Sequence, residues 1–155
     1  MSDIKSVLFV CTGNSCRSIM AEALLKKILK DTGKSHITVR SAGVAALGGL
    51  PPTFETMEVL KNEGIDVSGS RSKKVTADML NGSDLILVME ELHREEILRI
   101  APWVAPKLSL LKDYGLSEKK PANPGVADPI GRPKKDYEAA FEAIKKEIKR
   151  IAEIL

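Results

Sequence analysis

The stretch Ile4-Lys5-Ser6-Val7-Leu8-Phe9-Val10-Cys11-Thr12-Gly13-Asn14-Ser15-Cys16-Arg17-Ser18 decides how this chain is read. Ile4 to Val10 is a short apolar run that breaks at Cys-Thr-Gly-Asn. Ile19, Ala23, Leu24 and Ile28 then recur at helical spacing to about Lys30. The local order is therefore strand, tight loop, helix.

A cysteine followed after five residues by an arginine, in a loop that closes onto a helix, has a mechanical reason for its spacing. Five residues wrap a tetrahedral oxyanion and turn successive backbone amides inward as a nest. A helix beginning near Ser18 adds its positive end, and Arg17 can grip two anion oxygens at once. The same field favours the thiolate of Cys11, the form that attacks. Gly13 permits the positive φ such a turn demands, and Asn14 tolerates it better than most side chains. The competing reading makes Cys11 and Cys16 small buried hydrophobes beside an ordinary turn. Their place directly after an apolar strand and at a helix start favours the anion loop. The Gly-x4-Gly-Lys pattern of a Walker loop is absent.

Working outward, His36 to Arg40 alternates as a second strand and stops at Ser41-Ala42-Gly43. Pro51 and Pro52 suit the first turn of a helix that runs to Asn62-Glu63-Gly64. Thr76 to Leu80 reads as a short helix ended by Asn81-Gly82. Leu85 to Met89 is an apolar run expected of a strand covered on both faces. Glu90 to Ile100 is the next helix, closed before Pro102, and Lys107 to Leu111 is a fourth strand. Lys112 to Asp128 is a long loop rich in Pro, Gly and Lys. The last helix, Lys134 to Ile154, carries Tyr137, Phe141, Ile144, Ile148 and Ile151 on one face. This alternation predicts an α/β three-layer sandwich, a four-stranded parallel sheet flanked by helices with the phosphate-binding loop after the first strand. In such sheets ligands bind beyond the carboxyl ends of the strands, where the Cys11 loop lies.

The 155 residues, 43% hydrophobic and 29% charged, suit one domain spanning 1–155. The net charge of +3 comes from 24 basic and 21 acidic residues that are interspersed, which is no nucleic-acid footprint. No signal pattern opens the chain and no apolar run approaches the ~18 residues of a membrane span, so a cytoplasmic protein without membrane partners is expected. Two cysteines, Cys11 and Cys16, form neither a disulfide framework nor a zinc site. No cofactor or metal is called for.

The string Cys-Thr-Gly-Asn-Ser-Cys-Arg-Ser-x-Met-Ala-Glu at 11–22 resembles the signature of the low-molecular-weight protein-tyrosine-phosphatase family. Ser41-Ala42-Gly43, Ser83-Asp84-Leu85-Ile86 with Met89, and Asp128-Pro129 match it in order. The resemblance implies a protein phosphatase acting on phosphorylated protein substrates and releasing inorganic phosphate. Cys11 would form a phosphocysteine, and Arg17 with Thr12, Gly13, Asn14, Ser15 and Cys16 would bind the phosphoryl group. Ser18 would hydrogen-bond the departing thiolate, and Ser41 would support the loop through Asn14. Asp128 would be the general acid, and later the base for water. Cys16 matches a cysteine that in relatives pairs with the oxidised nucleophile.

Departures from the family bear on the substrate. Many members place aromatics just after Asp-Pro, whereas here Ile130 follows and aromatics make up only 4% of the chain. The resemblance to the bacterial protein-arginine-phosphatase subgroup is closer, with Ser15 standing where those enzymes have a Thr. Around Ser68-Gly69-Ser70 several relatives carry a His that supports the Asn-Ser network, so the loop is expected to be fixed differently. His36 and His93 are read as surface or helix residues remote from the chemistry. Two other classes compete. Arsenate reductases share the same eight-letter loop but relay oxidation to downstream cysteines, and no cysteine follows Cys16 here. A non-catalytic oxyanion-binding module would need neither Cys11 nor Asp128.

Overall fold

The computed structural model describes residues 3–117, 121 and 123–155. Strand β1 (Ser6–Cys11) lies inside a parallel sheet. It pairs on one side with β2 (Thr38–Gly43) and on the other with β3 (Leu85–Val88), and β4 (Leu108–Leu110) follows β3. The order is thus β2-β1-β3-β4, and every pair is parallel, as the alternation of strands and helices implied.

The period of two along each strand sorts the core into two layers. Val7, Phe9, Val39, Leu85 and Leu87 face α1 (Arg17–Asp31), α2 (Phe54–Lys61) and α5 (Lys134–Ile154). Leu8, Val10, Ala42, Ile86, Val88, Leu108 and Leu110 face α3 (Ala77–Asn81), α4 (Glu91–Ile100) and the 3-10 turn Pro102–Lys107. The face of α5 read from the sequence is the buried one, with Tyr137, Phe141, Ile144, Ile148 and Ile151 all in the first layer. Among the described residues, no helix is long and apolar enough to cross a membrane.

Several boundaries differ from the sequence reading. β1 takes in Cys11, and β2 starts only at Thr38 but continues through Ser41-Ala42-Gly43. Those three residues are poor strand formers, yet each stays in register with Phe9, Val10 and Cys11, and sheet pairing overrides propensity. α2 opens at Phe54, after the prolines, because the Thr53 side chain caps it by accepting from the Thr56 amide. In the long loop, residues 118–120 and 122 lie outside the described residues. Its end returns to the sheet: the Val126 amide donates to Met89 O at 2.9 Å, carrying the following Asp128 over the carboxyl edge of β3.

Phe9 is fully buried on the innermost strand. Phe9→Ala is expected to lower the unfolding free energy by ~3–5 kcal/mol, read from urea denaturation.

Candidate active site

The site forms where β1 and β3 end side by side. α1 starts at Arg17, one residue before the position expected from the sequence, with Cys16 at its N-cap. Cys16 makes no capping hydrogen bond and the first turn holds no acidic residue, whereas Thr53 and Thr76 cap α2 and α3. The first amides of α1 are therefore left for a ligand, at the positive end of the helix dipole.

Of the two residues suited to the positive φ of the loop, it falls on Asn14 (φ 53°) and not on Gly13. Asn is the residue that reaches the left-handed region by bonding locally, and Asn14 does so as a buried hub. Its Nδ2 donates to Ser18 Oγ (2.8 Å) and Ser41 Oγ (3.0 Å), and its Oδ1 accepts from the Lys73 amide (2.9 Å). Ser41 donates onward to the Glu22 carboxylate. Since Ser18 Oγ accepts from Asn14, its own proton is free for Cys11 Sγ, 2.9 Å away. Glu22 and the Lys73 backbone thus complete the Asn14–Ser41 network. Gly43 of β2 lies against the loop, since a Cβ there would sit 2.5 Å from Thr12 O and 2.8 Å from Asn14 N.

Arg17 is 1% exposed. Its Nη1 donates to the Glu90 carboxylate and to Val126 O (2.7 Å). Its Nη2 faces Thr12 Oγ1 (3.3 Å) and Asp128 Oδ2 (3.5 Å). Asp128 Oδ1 accepts from the Ile130 amide, which holds the carboxylate in its turn. A cavity of about 120 Å³ is lined by Cys11, Thr12, Gly13, Ser15, Cys16, Arg17, Asp128 and Ile130. Asn14, Ser18 and Ser41 stand behind this wall. Cys16 Sγ lies 3.5 Å from Thr53 Oγ1, and burial together with Cys16 pushes the nearby Tyr137 hydroxyl upward. Both cysteines are free.

Two residues of this site were not expected from the sequence. Glu90 holds Arg17, and His93, expected to be remote, is fully buried with Nε2 2.8 Å from Thr12 Oγ1. Both follow directly from β3, so the neighbouring strand-to-helix junction was the available signal. Burial, and after it the Arg17 charge, lowers the His93 pKa to about 4 against the opposing pull of Asp128.

Two outcomes follow. Gly43→Ala must displace loop backbone, and a ~10- to 100-fold loss of kcat/KM on an aryl phosphate is expected. The folded state keeps His93 neutral down to about pH 4, whereas the unfolded chain protonates it from 6.5. Its contribution to stability is whole above pH 6.5 and is lost as the pH falls towards 4. The stability gap between wild type and His93→Asn, measured by urea denaturation, should narrow across that window.

Residues 6–155 match the family described as low molecular weight phosphotyrosine protein phosphatase. The crystal structure of a low molecular weight protein tyrosine phosphatase from T. tengcongensis is similar at 38% identity and TM-score 0.87, over 97% of this chain and 99% of that one. A protein-arginine-phosphatase of Geobacillus stearothermophilus is 34% identical over 149 residues, 96% of this chain and 95% of its own. An arsenate reductase 2 of Staphylococcus haemolyticus is 34% identical over 143 residues, 92% of each chain. With the family match running from the first strand to the end of the last helix, the chain belongs to the low molecular weight phosphotyrosine protein phosphatase family.

Proposed function

We propose that this chain hydrolyses phosphorylated protein side chains through a phosphocysteine on Cys11. The observation that carries the reading is the single cavity in which Cys11, Arg17 and Asp128 meet beside the uncapped start of α1. In the first step the Cys11 thiolate attacks phosphorus, an S–P bond forms and the bond to the leaving group breaks. Asp128 gives its proton to that leaving group, because an unprotonated alkoxide, phenoxide or amide anion is costly to expel. In the second step Asp128 takes a proton from water, the water oxygen bonds phosphorus, and the S–P bond breaks to release inorganic phosphate. Arg17 and the loop amides hold the equatorial oxygens where charge spreads in both transition states. Ser18 donates to the sulfur as it leaves.

Arsenate reduction is disfavoured, since the relay of that reaction needs thiols beyond Cys16 and the 155 residues contain none. A thiol nucleophile that must stay reduced suits the cytoplasm. Phosphotyrosine and phosphoarginine are the candidate substrates. Among the described residues no aromatic side chain lines the cavity, and Ile130 and Ser15 stand where a ring wall and an aliphatic residue would favour tyrosine.

Cys11→Ser should abolish hydrolysis of p-nitrophenyl phosphate and still bind orthovanadate, and unchanged turnover in that variant would refute the mechanism. Turnover of phosphotyrosine and phosphoarginine peptides by wild type, Ser15→Thr and Ser15→Ile reads the substrate. Arginine specificity predicts that Thr preserves phosphoarginine turnover and Ile lowers it by ~10-fold or more, one or two lost hydrogen bonds at the transition state.

A further inference from the structure

α4 enters the site twice. Glu90, just before its first turn, takes Arg17 Nη1, and His93, three residues on, reaches Thr12 Oγ1. We propose that His93 is a positioning residue for the phosphatase reaction: its Nε2–H locks the Thr12 hydroxyl, which in turn holds Nη2 of Arg17 towards the reacting phosphoryl group. The proposal rests on the roles given above to Cys11 and Arg17.

Hydrogen bonding defines the direction of this chain of contacts. His93 Nδ1 accepts from the Glu90 amide at 3.0 Å, so in the neutral ring the proton sits on Nε2. Nε2 therefore donates to Thr12 Oγ1 at 2.8 Å, and Arg17 Nη2 donates to the same oxygen at 3.3 Å. With both acceptor positions of the hydroxyl taken, its proton is the one function left, and Thr12 lines the cavity. The Nη1 arm of Arg17 is filled by Glu90 and Val126, so the Nη2 arm is the one turned towards Asp128. Thr12 is the neutral group that orients that arm. Without His93 the hydroxyl could rotate away, since Thr12 lies on an irregular loop between β1 and α1.

Protonation would undo the arrangement. An imidazolium has no acceptor for the Glu90 amide and would stand beside the Arg17 charge. Burial and that charge keep His93 neutral above about pH 4, so the donor is in place through the neutral range.

The test separates positioning from mere packing. His93→Asn keeps an acceptor for the Glu90 amide and is too short to reach Thr12, while Thr12→Val keeps the shape and removes the oxygen. Each should lower kcat/KM on p-nitrophenyl phosphate by roughly tenfold, the worth of one lost hydrogen bond, and weaken orthovanadate inhibition by a similar factor. The double variant should be no worse than either single one, because both break the same link. His93→Gln, whose amide can stand near the Nε2 position, should recover part of the loss. Wild-type kcat/KM in His93→Asn or in Thr12→Val overturns the proposal, as do losses that multiply in the double variant. If His93→Asn is too unstable to assay, His93→Gln replaces it in the cycle with Thr12→Val, and losses that multiply there, or wild-type kcat/KM in Thr12→Val, overturn the proposal. Cys11→Ser serves as the control. Turnover surviving in it defeats the phosphocysteine mechanism itself, whereas an inert Cys11→Ser together with multiplying losses defeats only the role of His93.

Discussion

A guanidinium with 1% exposure is the constraint on which this site depends. Removing such a charge from water costs several kcal/mol unless it is fully partnered. Arg17 recruits its partners from four places: Thr12 after β1, Glu90 before α4, the Val126 carbonyl, and Asp128. Satisfying one buried cation therefore brings the end of the long loop, the start of α4 and the phosphate loop to one point. The Val126 backbone is held from both sides, its amide on Met89 and its carbonyl on Arg17. That double hold sets where Asp128 stands relative to Cys11.

A second, neutral network fixes the other side of the loop. Asn14 takes the left-handed conformation and distributes hydrogen bonds to Ser18, Ser41 and Lys73, with Glu22 closing the chain beyond Ser41. Because an amide NH₂ only donates, the polarity of the chain is set, and the Ser18 proton is directed to the sulfur. The sulfur meets one directed donor, and the uncapped start of α1 supplies the remaining field. Gly43 makes the close packing of β2 against this loop feasible, which gives Ser41-Ala42-Gly43 a steric meaning as well as a hydrogen-bonding one.

Parts of the site were readable in advance for a simple reason. Cys11 to Ser18 is contiguous, and its spacing encodes a nest, a nucleophile and a helix start within one turn of chain. Asp128 could be named only through resemblance to a family, since an Asp-Pro pair alone reads as a turn. Glu90 and His93 escaped because nothing in a helix-like run from 90 to 100 marks which face meets another strand's loop. His93 in particular is an ordinary helical residue by sequence and a fully buried donor by structure.

The sequence by itself determined the order of strands and helices along the chain, the buried face of α5 and the strand, loop and helix start that carry the proposed chemistry. Those properties are local: hydrophobic periodicity and a short motif express them without reference to distant residues. The tertiary structure alone decided that β3 lies beside β1. That adjacency places the start of α4 against the phosphate loop, so the partners of Arg17 and Thr12 come from residues more than seventy positions away. It also kept Ser41-Ala42-Gly43 in the sheet, where pairing with β1 outweighs weak strand propensity. Long-range hydrogen bonds and buried-charge compensation depend on which elements become neighbours, and no local pattern in the chain states that.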